Sequence, residues 1–167
     1  MNIREAKVED MSFIVDINIE MWRKTYKDIM KEEIFLMREK NRENSIIIMK
    51  EKLLSKEYFY KVVSIDNKIV GFISYGKSRD VEADNLGEIY AIYILEEFQK
   101  NGIGEKLVSY AKDDLKEKGY SSLVIWTLEE NRNRKFYEKI GGKEFSNRQI
   151  DILGQNLKEV GYLYENI

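Results

Sequence analysis

A chain of 167 residues falls in the range of a single domain, and one this long buries enough surface to need no metal or disulfide staple. Its 28 basic and 30 acidic side chains leave a net charge of −2, with no overall basic field to hold a nucleic acid. With no Cys and no His there is no disulfide, no cysteine nucleophile, no Ser-His-Asp triad and none of the usual zinc sites, so acid–base chemistry falls to Asp, Glu, Tyr, Lys or water.

The elements follow in chain order. Asn2 to Lys7 reads as a short strand, and Val8-Glu9-Asp10 opens a helix whose Met11, Ile14, Val15, Ile19, Trp22 and Tyr26 fall near one face. Residues 31–54 read as helical, with the charged stretch Arg38 to Asn44 a candidate loop inside them. Tyr58 to Ile65 and Ile69 to Tyr75 are strands rich in β-branched and aromatic residues. The turn Asp66-Asn67-Lys68 between them predicts a hairpin.

Ser78 to Gly87 is a polar, acidic loop. Glu88 to Leu95 is a strand of near-continuous apolar character, which predicts burial on both faces. Asn101 to Lys118 reads as a helix, Ser122 to Leu128 as a strand and Asn131 to Ile140 as a helix stopped by Gly141-Gly142. Strands over about 143–152 and 157–165 close the chain. Strand–helix–strand from 88 to 128 predicts a parallel pair with a right-handed crossover. The expected fold is α+β, a mixed α/β domain spanning 1–167, with a twisted mixed sheet and helices on both faces.

No apolar run approaches the roughly 20 residues of a membrane span, and Met1 to Glu5 has no apolar signal core. The expectation is a cytoplasmic protein with no nucleic-acid or membrane partner.

Two motifs carry the chemistry. Gln99-Lys100-Asn101-Gly102-Ile103-Gly104 lies between a strand and a helix, where glycines let a ligand approach and unpaired N–H groups favour phosphate. It is neither a dinucleotide fingerprint, since Leu107 stands at the third glycine, nor a P-loop, since Glu105-Lys106 follows Gly104. Alone it is also compatible with an ordinary turn. Asn131 to Gly142 opens the next helix; on spacing alone Phe136 and Ile140 read as core, Asn131 as a cap and Tyr137 as a partly buried tyrosine.

Together the two motifs resemble the GNAT superfamily of N-acetyltransferases, which move an acetyl group from acetyl-CoA to an amine. Gln99 to Gly104 is similar to the family's pyrophosphate loop, and Asn131 to Gly142 to its later segment. The turn after Ile92-Tyr93-Ile94-Leu95 lacks the family's proline, with Glu96 in its place. Ile3 to Asp10, Trp22 to Tyr26 and Leu157 to Tyr164 extend the likeness over nearly the whole chain.

The resemblance implies a GNAT-like sheet of six to seven strands with a splayed central parallel pair. It implies acetyl-CoA as cofactor, its pyrophosphate held by Gln99, Lys100, Asn101, Gly102, Ile103 and Gly104 with Glu105 just beyond. Its pantetheine arm would pair with Ile92, Tyr93 and Ile94; Asn131 would contact the cofactor, and Arg134 a cofactor phosphate, Arg134 being equally suited to a surface ion pair. Tyr137 matches the general acid that protonates the departing thiolate, and Glu88 stands near the glutamate that serves several relatives as base. No metal is expected, and the absence of Cys favours direct attack in a ternary complex.

For the acceptor, Asp80, Glu82, Asp84 and Glu88 would attract a small cationic amine such as a polyamine, with Trp22 and Tyr26 as pocket walls. A solvated acidic loop and two core aromatics are the plain alternatives. A protein or peptide acetyltransferase and a catalytically silent acyl-CoA-binding module stay open as rival functions, retention of Tyr137 speaking against the second. A homodimer is compatible with the sequence.

Overall fold

The computed structural model describes residues 1–79 and 85–167. The acidic positions Asp80, Glu82 and Asp84 lie outside the described residues.

Strand β1 (Asn2–Glu5) leads through a turn of 3-10 helix at Val8–Asp10 into α1 (Met11–Tyr26). Helices α2 (Glu32–Lys40) and α3 (Arg42–Ser55) follow, then β2 (Tyr58–Ile65), β3 (Lys68–Lys77) and β4 (Leu86–Ile94). Helix α4 (Ile103–Glu117), β5 (Ser122–Leu128), α5 (Arg134–Lys139), β6 (Lys143–Ile152) and β7 (Gln155–Glu165) complete the chain. The seven strands form one sheet in the order β1-β2-β3-β4-β5-β7-β6, antiparallel except for β4 beside β5. This is the mixed sheet with flanking helices that the sequence predicts.

Both tight hairpins use the same device. Asp66 and Asn67 between β2 and β3, and Leu153 and Gly154 between β6 and β7, all have positive φ. Two such residues twist a turn in the sense of the strands it joins. The stretch Arg38 to Asn44 is not a loop: α2 runs through Lys40 and α3 starts at Arg42, with Asn41 alone leaving helical geometry. Arg42 there grips Asp16 of α1 through Nε and Nη2, so the charges face neighbouring helices rather than a connection. None of the described helices is long and apolar enough to cross a membrane.

The central pair is where the sheet comes apart. β4 and β5 pair from Leu86↔Ser122 to Ile89↔Ile125 and no further. β4 stays on β3 up to Gly71↔Ile94, while β5 stays on β7 up to Leu128↔Glu159. Ser74 faces Ala91 and Tyr75 faces Ile89, so Tyr90 is the extra residue of a β-bulge. A bulge bends its strand and sharpens the local twist, here at the level where β4 leaves β5. The predicted burial of β4 on both faces therefore holds only for its first part. Gly87, Glu88 and Ile89 are buried, and Tyr90 to Ile94 are half-exposed on the opening.

Candidate active site

The opening between the strands is a cavity of about 520 Å³. Its walls come from β4, β5, the starts of α4 and α5, and the last turns of α1.

One end is a ring of backbone donors. Lys100 and Gly102 both have positive φ, and Gly102 caps α4 in left-handed geometry. This is why the helix starts at Ile103 and not at Asn101. Among the described residues, no acceptor pairs with the backbone N–H groups of Lys100 through Glu105. They are the orphan donors of a helix start, carrying the positive end of its dipole. A Cβ on Gly102 would meet nothing within 4 Å, so that side of the loop is open to a ligand. Gly104 is small for another reason: a Cβ there would come within 2.9 Å of the Phe136 ring, which packs α5 against α4. Lys100, Lys135 and Lys139 surround the donors, and Lys139 holds Glu105 at 2.7 Å. The Gln99 amide donates to the Ile94 carbonyl at 2.8 Å and closes the end of β4.

Tyrosines crowd the middle. Tyr137 from α5, Tyr26 from α1 and Tyr93 from β4 line the cavity with Thr127 of β5. Burial drives the phenol pKa of each tyrosine upward, and the other tyrosines nearby push Tyr137 and Tyr93 further. All three are neutral O–H groups near pH 7. The Asn131 amide ties the cluster together. Its Oδ1 accepts the backbone N–H of Asn133 at 2.9 Å, and its Nδ2 donates to Thr127 Oγ1 at 2.7 Å and to the Tyr26 hydroxyl at 3.4 Å. This turn of chain delays α5, predicted from Asn131, until Arg134. Below Tyr137, its carbonyl takes the Gly142 N–H and the Tyr164 hydroxyl, both at 2.9 Å.

Of the sequence-predicted residues, Tyr26, Ile92, Tyr93, Ile94, Gln99, Lys100, Gly102, Ile103, Gly104, Glu105, Asn131 and Tyr137 line this one cavity. The others sit elsewhere. The Asn101 side chain turns back to the Phe98 carbonyl. Arg134 donates to Tyr162 Oη, the Glu129 carbonyl and Glu144, each at 2.9 Å, and so fastens α5 to the last strands. The face of the Trp22 ring is covered by the Arg38 guanidinium at 3.8 Å, and Tyr26 meets it edge-on.

Glu88 is 1% exposed and is not part of the cavity wall. Arg79 holds it through its backbone N–H and Nε, each at 2.9 Å, and through Nη2 as well. A carboxylate so engaged, with no face on the cavity, is poorly placed to collect an acceptor's proton.

Thr127, Lys135 and Lys139 are among the cavity residues that were not predicted as site residues. Two signals pointed to them: a threonine inside an apolar strand four residues before Asn131, and lysines four apart on α5.

The parallel strand pair opened at a bulge thus carries a ring of backbone donors at one end of the cavity and a neutral tyrosine in its middle. The comparisons name the family. Residues 12–142 match the model of the acetyltransferase (GNAT) family, and the chain belongs to it. It is similar to the uncharacterized N-acetyltransferase YuaI of Bacillus subtilis, with 32% identity over 165 residues, 96% of this chain and 91% of that protein. It is also similar to a spermidine N(1)-acetyltransferase of Thermoplasma acidophilum, with 27% identity over 154 residues, 86% of this chain and 88% of that one. Its fold matches the PaiA N-acetyltransferase of the same organism, solved in complex with coenzyme A, at a TM-score of 0.72 and 23% identity over 98% of both chains.

Proposed function

We propose that this protein transfers the acetyl group of acetyl-CoA to a primary amine by direct attack in a ternary complex. The observation that carries the proposal is the fork between β4 and β5, which joins an anion-binding donor ring to a buried tyrosine in one cavity. The residues present fit the cofactor. Orphan N–H groups at the start of α4, flanked by lysines, suit a diphosphate. The edge of β4 that has left β5 offers unpaired backbone groups to an amide-bearing arm. When bound, acetyl-CoA supplies the activated acyl group.

Tyr137 is the proton donor to the departing sulfur. A raised phenol pKa keeps it protonated near neutrality, and a thiol's ordinary value near 8.5 makes the thiolate a ready acceptor. For the acceptor we favour a small cationic amine, supported by the similarity to a spermidine acetyltransferase. Glu88 adds little to that preference because Arg79 neutralises it.

One experiment tests both halves. Coenzyme A release is followed across polyamines, amino sugars, neutral amino acids and peptides, beside thermal shifts with acetyl-CoA for the wild type and Gly102→Glu. The expected result is a shift in the wild type, as for any ligand of the native state alone, with none in the variant. Polycations should be the fastest acceptors, less so as salt rises. A folded Gly102→Glu protein that binds as the wild type does removes the cofactor site. Peptides outrunning every polycation removes the small-amine acceptor.

A further inference from the structure

Seven of the chain's eight arginines hold a carboxylate, from Arg4 on Asp10 to Arg148 on Glu159. Among the described residues Arg38 holds none, and its Nε is buried without a hydrogen-bond partner. The bond it does make runs from Nη2 to Oδ1 of Asn18, a buried polar residue of α1. Glu39, its neighbour in the chain, is taken by Arg23. The Trp22 ring, 3.8 Å from the guanidinium, offsets part of the charge. A ring face accepts none of the N–H groups, which point outward in the guanidinium plane. The result is a half-buried cation short of a counter-charge, which folded proteins ordinarily avoid.

The place of this cation bears on the cavity. Asn18, Met21, Trp22, Thr25 and Tyr26 follow one another at the three- and four-residue spacings of a single stripe on α1. Met21, Thr25 and Tyr26 wall the cavity, and Tyr26 meets Trp22 edge-on with ring centroids 5.4 Å apart. Asn18 and Trp22, which hold Arg38, therefore continue that wall outward. The other buried side-chain atom without a partner among the described residues is Trp126 Nε1, and Trp126 lines the cavity itself. Both orphans are donors. What the site lacks is a group that brings hydrogen-bond acceptors and, at Arg38, a negative charge.

We propose that Arg38 receives a carboxylate carried by the amine substrate. The inference rests on the acetyltransferase reading above and narrows its small cationic amine to one that also bears an acid group, as diamino acids do. A carboxylate neutralises the guanidinium and fills donors that Asn18 leaves open. It takes no part in the acetyl transfer, so its hold is felt in substrate binding. Arg38 is thus a specificity residue at the outer end of the α1 wall.

The test compares amines that differ by this one group, lysine against cadaverine and ornithine against putrescine, by coenzyme A release. In the wild type kcat/KM should favour the diamino acid of the faster pair by about 10-fold or more. In Arg38→Met, which keeps an unbranched stem over Trp22, that ratio should fall by about 10–100-fold, through KM rather than kcat. The diamine should gain in the same variant, because a repelling charge is gone. Arg38→Lys, which keeps the charge and loses the planar fork, should fall between the two. Calorimetry should give the wild-type coenzyme A affinity in both variants. Equal losses for the diamine and the diamino acid mark Arg38 as a structural brace and overturn the inference, as does a wild type that prefers the diamine. Acetate or propionate that accelerates the diamine in the wild type but not in Arg38→Met gives the site to a free anion and overturns it too. Each of these outcomes leaves the acetyltransferase reading standing. A wild type that binds coenzyme A but acetylates no amine overturns that reading and the inference with it.

Discussion

The two ends of β4 live in two environments. From Leu86 to Ile89 the strand is paired on both edges, and Gly87 to Ile89 are buried. From Tyr90 to Ile94 it keeps one partner and its side chains are half-exposed on the cavity. A near-continuous apolar run is thus no guarantee of a packed core. An Ile that faces an open cavity looks, in sequence, the same as an Ile that faces a helix. One bulged residue, Tyr90, separates the part of the strand that is packed into the sheet from the part that lines the cavity.

The largest effect expected in the open half is on chemistry. Tyr137→Phe removes one hydroxyl from the cavity wall, and turnover should fall by about 10²–10⁴-fold with coenzyme A affinity unchanged. Steady-state kinetics beside calorimetry check it, and a loss under threefold would assign the proton to water. The next effect separates the halves by stability. Ile89→Ala, at 2% exposure, should cost about 2–5 kcal/mol in denaturant unfolding, and Ile92→Ala, on the cavity, less than about 1 kcal/mol. Coenzyme A affinity should move the other way, weaker in Ile92→Ala. Equal destabilisation at the two positions would erase the distinction.

The smallest effect is a control remote from the fork. Asp10 has its pKa lowered, mainly by the Arg4 guanidinium bonded to it and also by the Lys7 backbone N–H. A depressed carboxylate adds stability above its unfolded value near 3.9, and that stability is lost as pH falls through the lower folded value. Asp10→Asn should therefore lower stability at pH 7 by about 1–3 kcal/mol and flatten the acid limb of a melting-temperature profile, with turnover unaffected.

How far the sequence reaches can be judged on particular residues. Ser122–Leu128 and Lys143–Ile152 are strands with the boundaries the pattern predicts, because their ends carry turn residues and their composition has no helical period. The donor ring was legible as a motif, whereas the late start of α4 was not, since nothing in helix propensity announces left-handed geometry at Lys100 and Gly102. The splay came from family resemblance and not from periodicity, which cannot distinguish a paired edge from an open one. The Arg79–Glu88 pair joins residues nine apart and has no sequence signature. Nor does the Asn131–Tyr26 contact, whose partners are 105 residues apart.

The carbonyl beneath Tyr137 has a consequence for the paired glycines. Gly141, at φ 93, stops the helix as expected. Gly142 does something else: a Cβ there would press within 2.7 Å of the Tyr164 ring and 2.8 Å of the Tyr137 oxygen. That oxygen is the footing of the phenol proposed above as the proton donor. An extra methyl at Gly142 would tilt the footing, and the ring above it acts as a lever that magnifies the tilt at the hydroxyl. The second glycine of the motif is therefore constrained by the placement of the Tyr137 ring, through a backbone atom rather than through any side chain of the cavity.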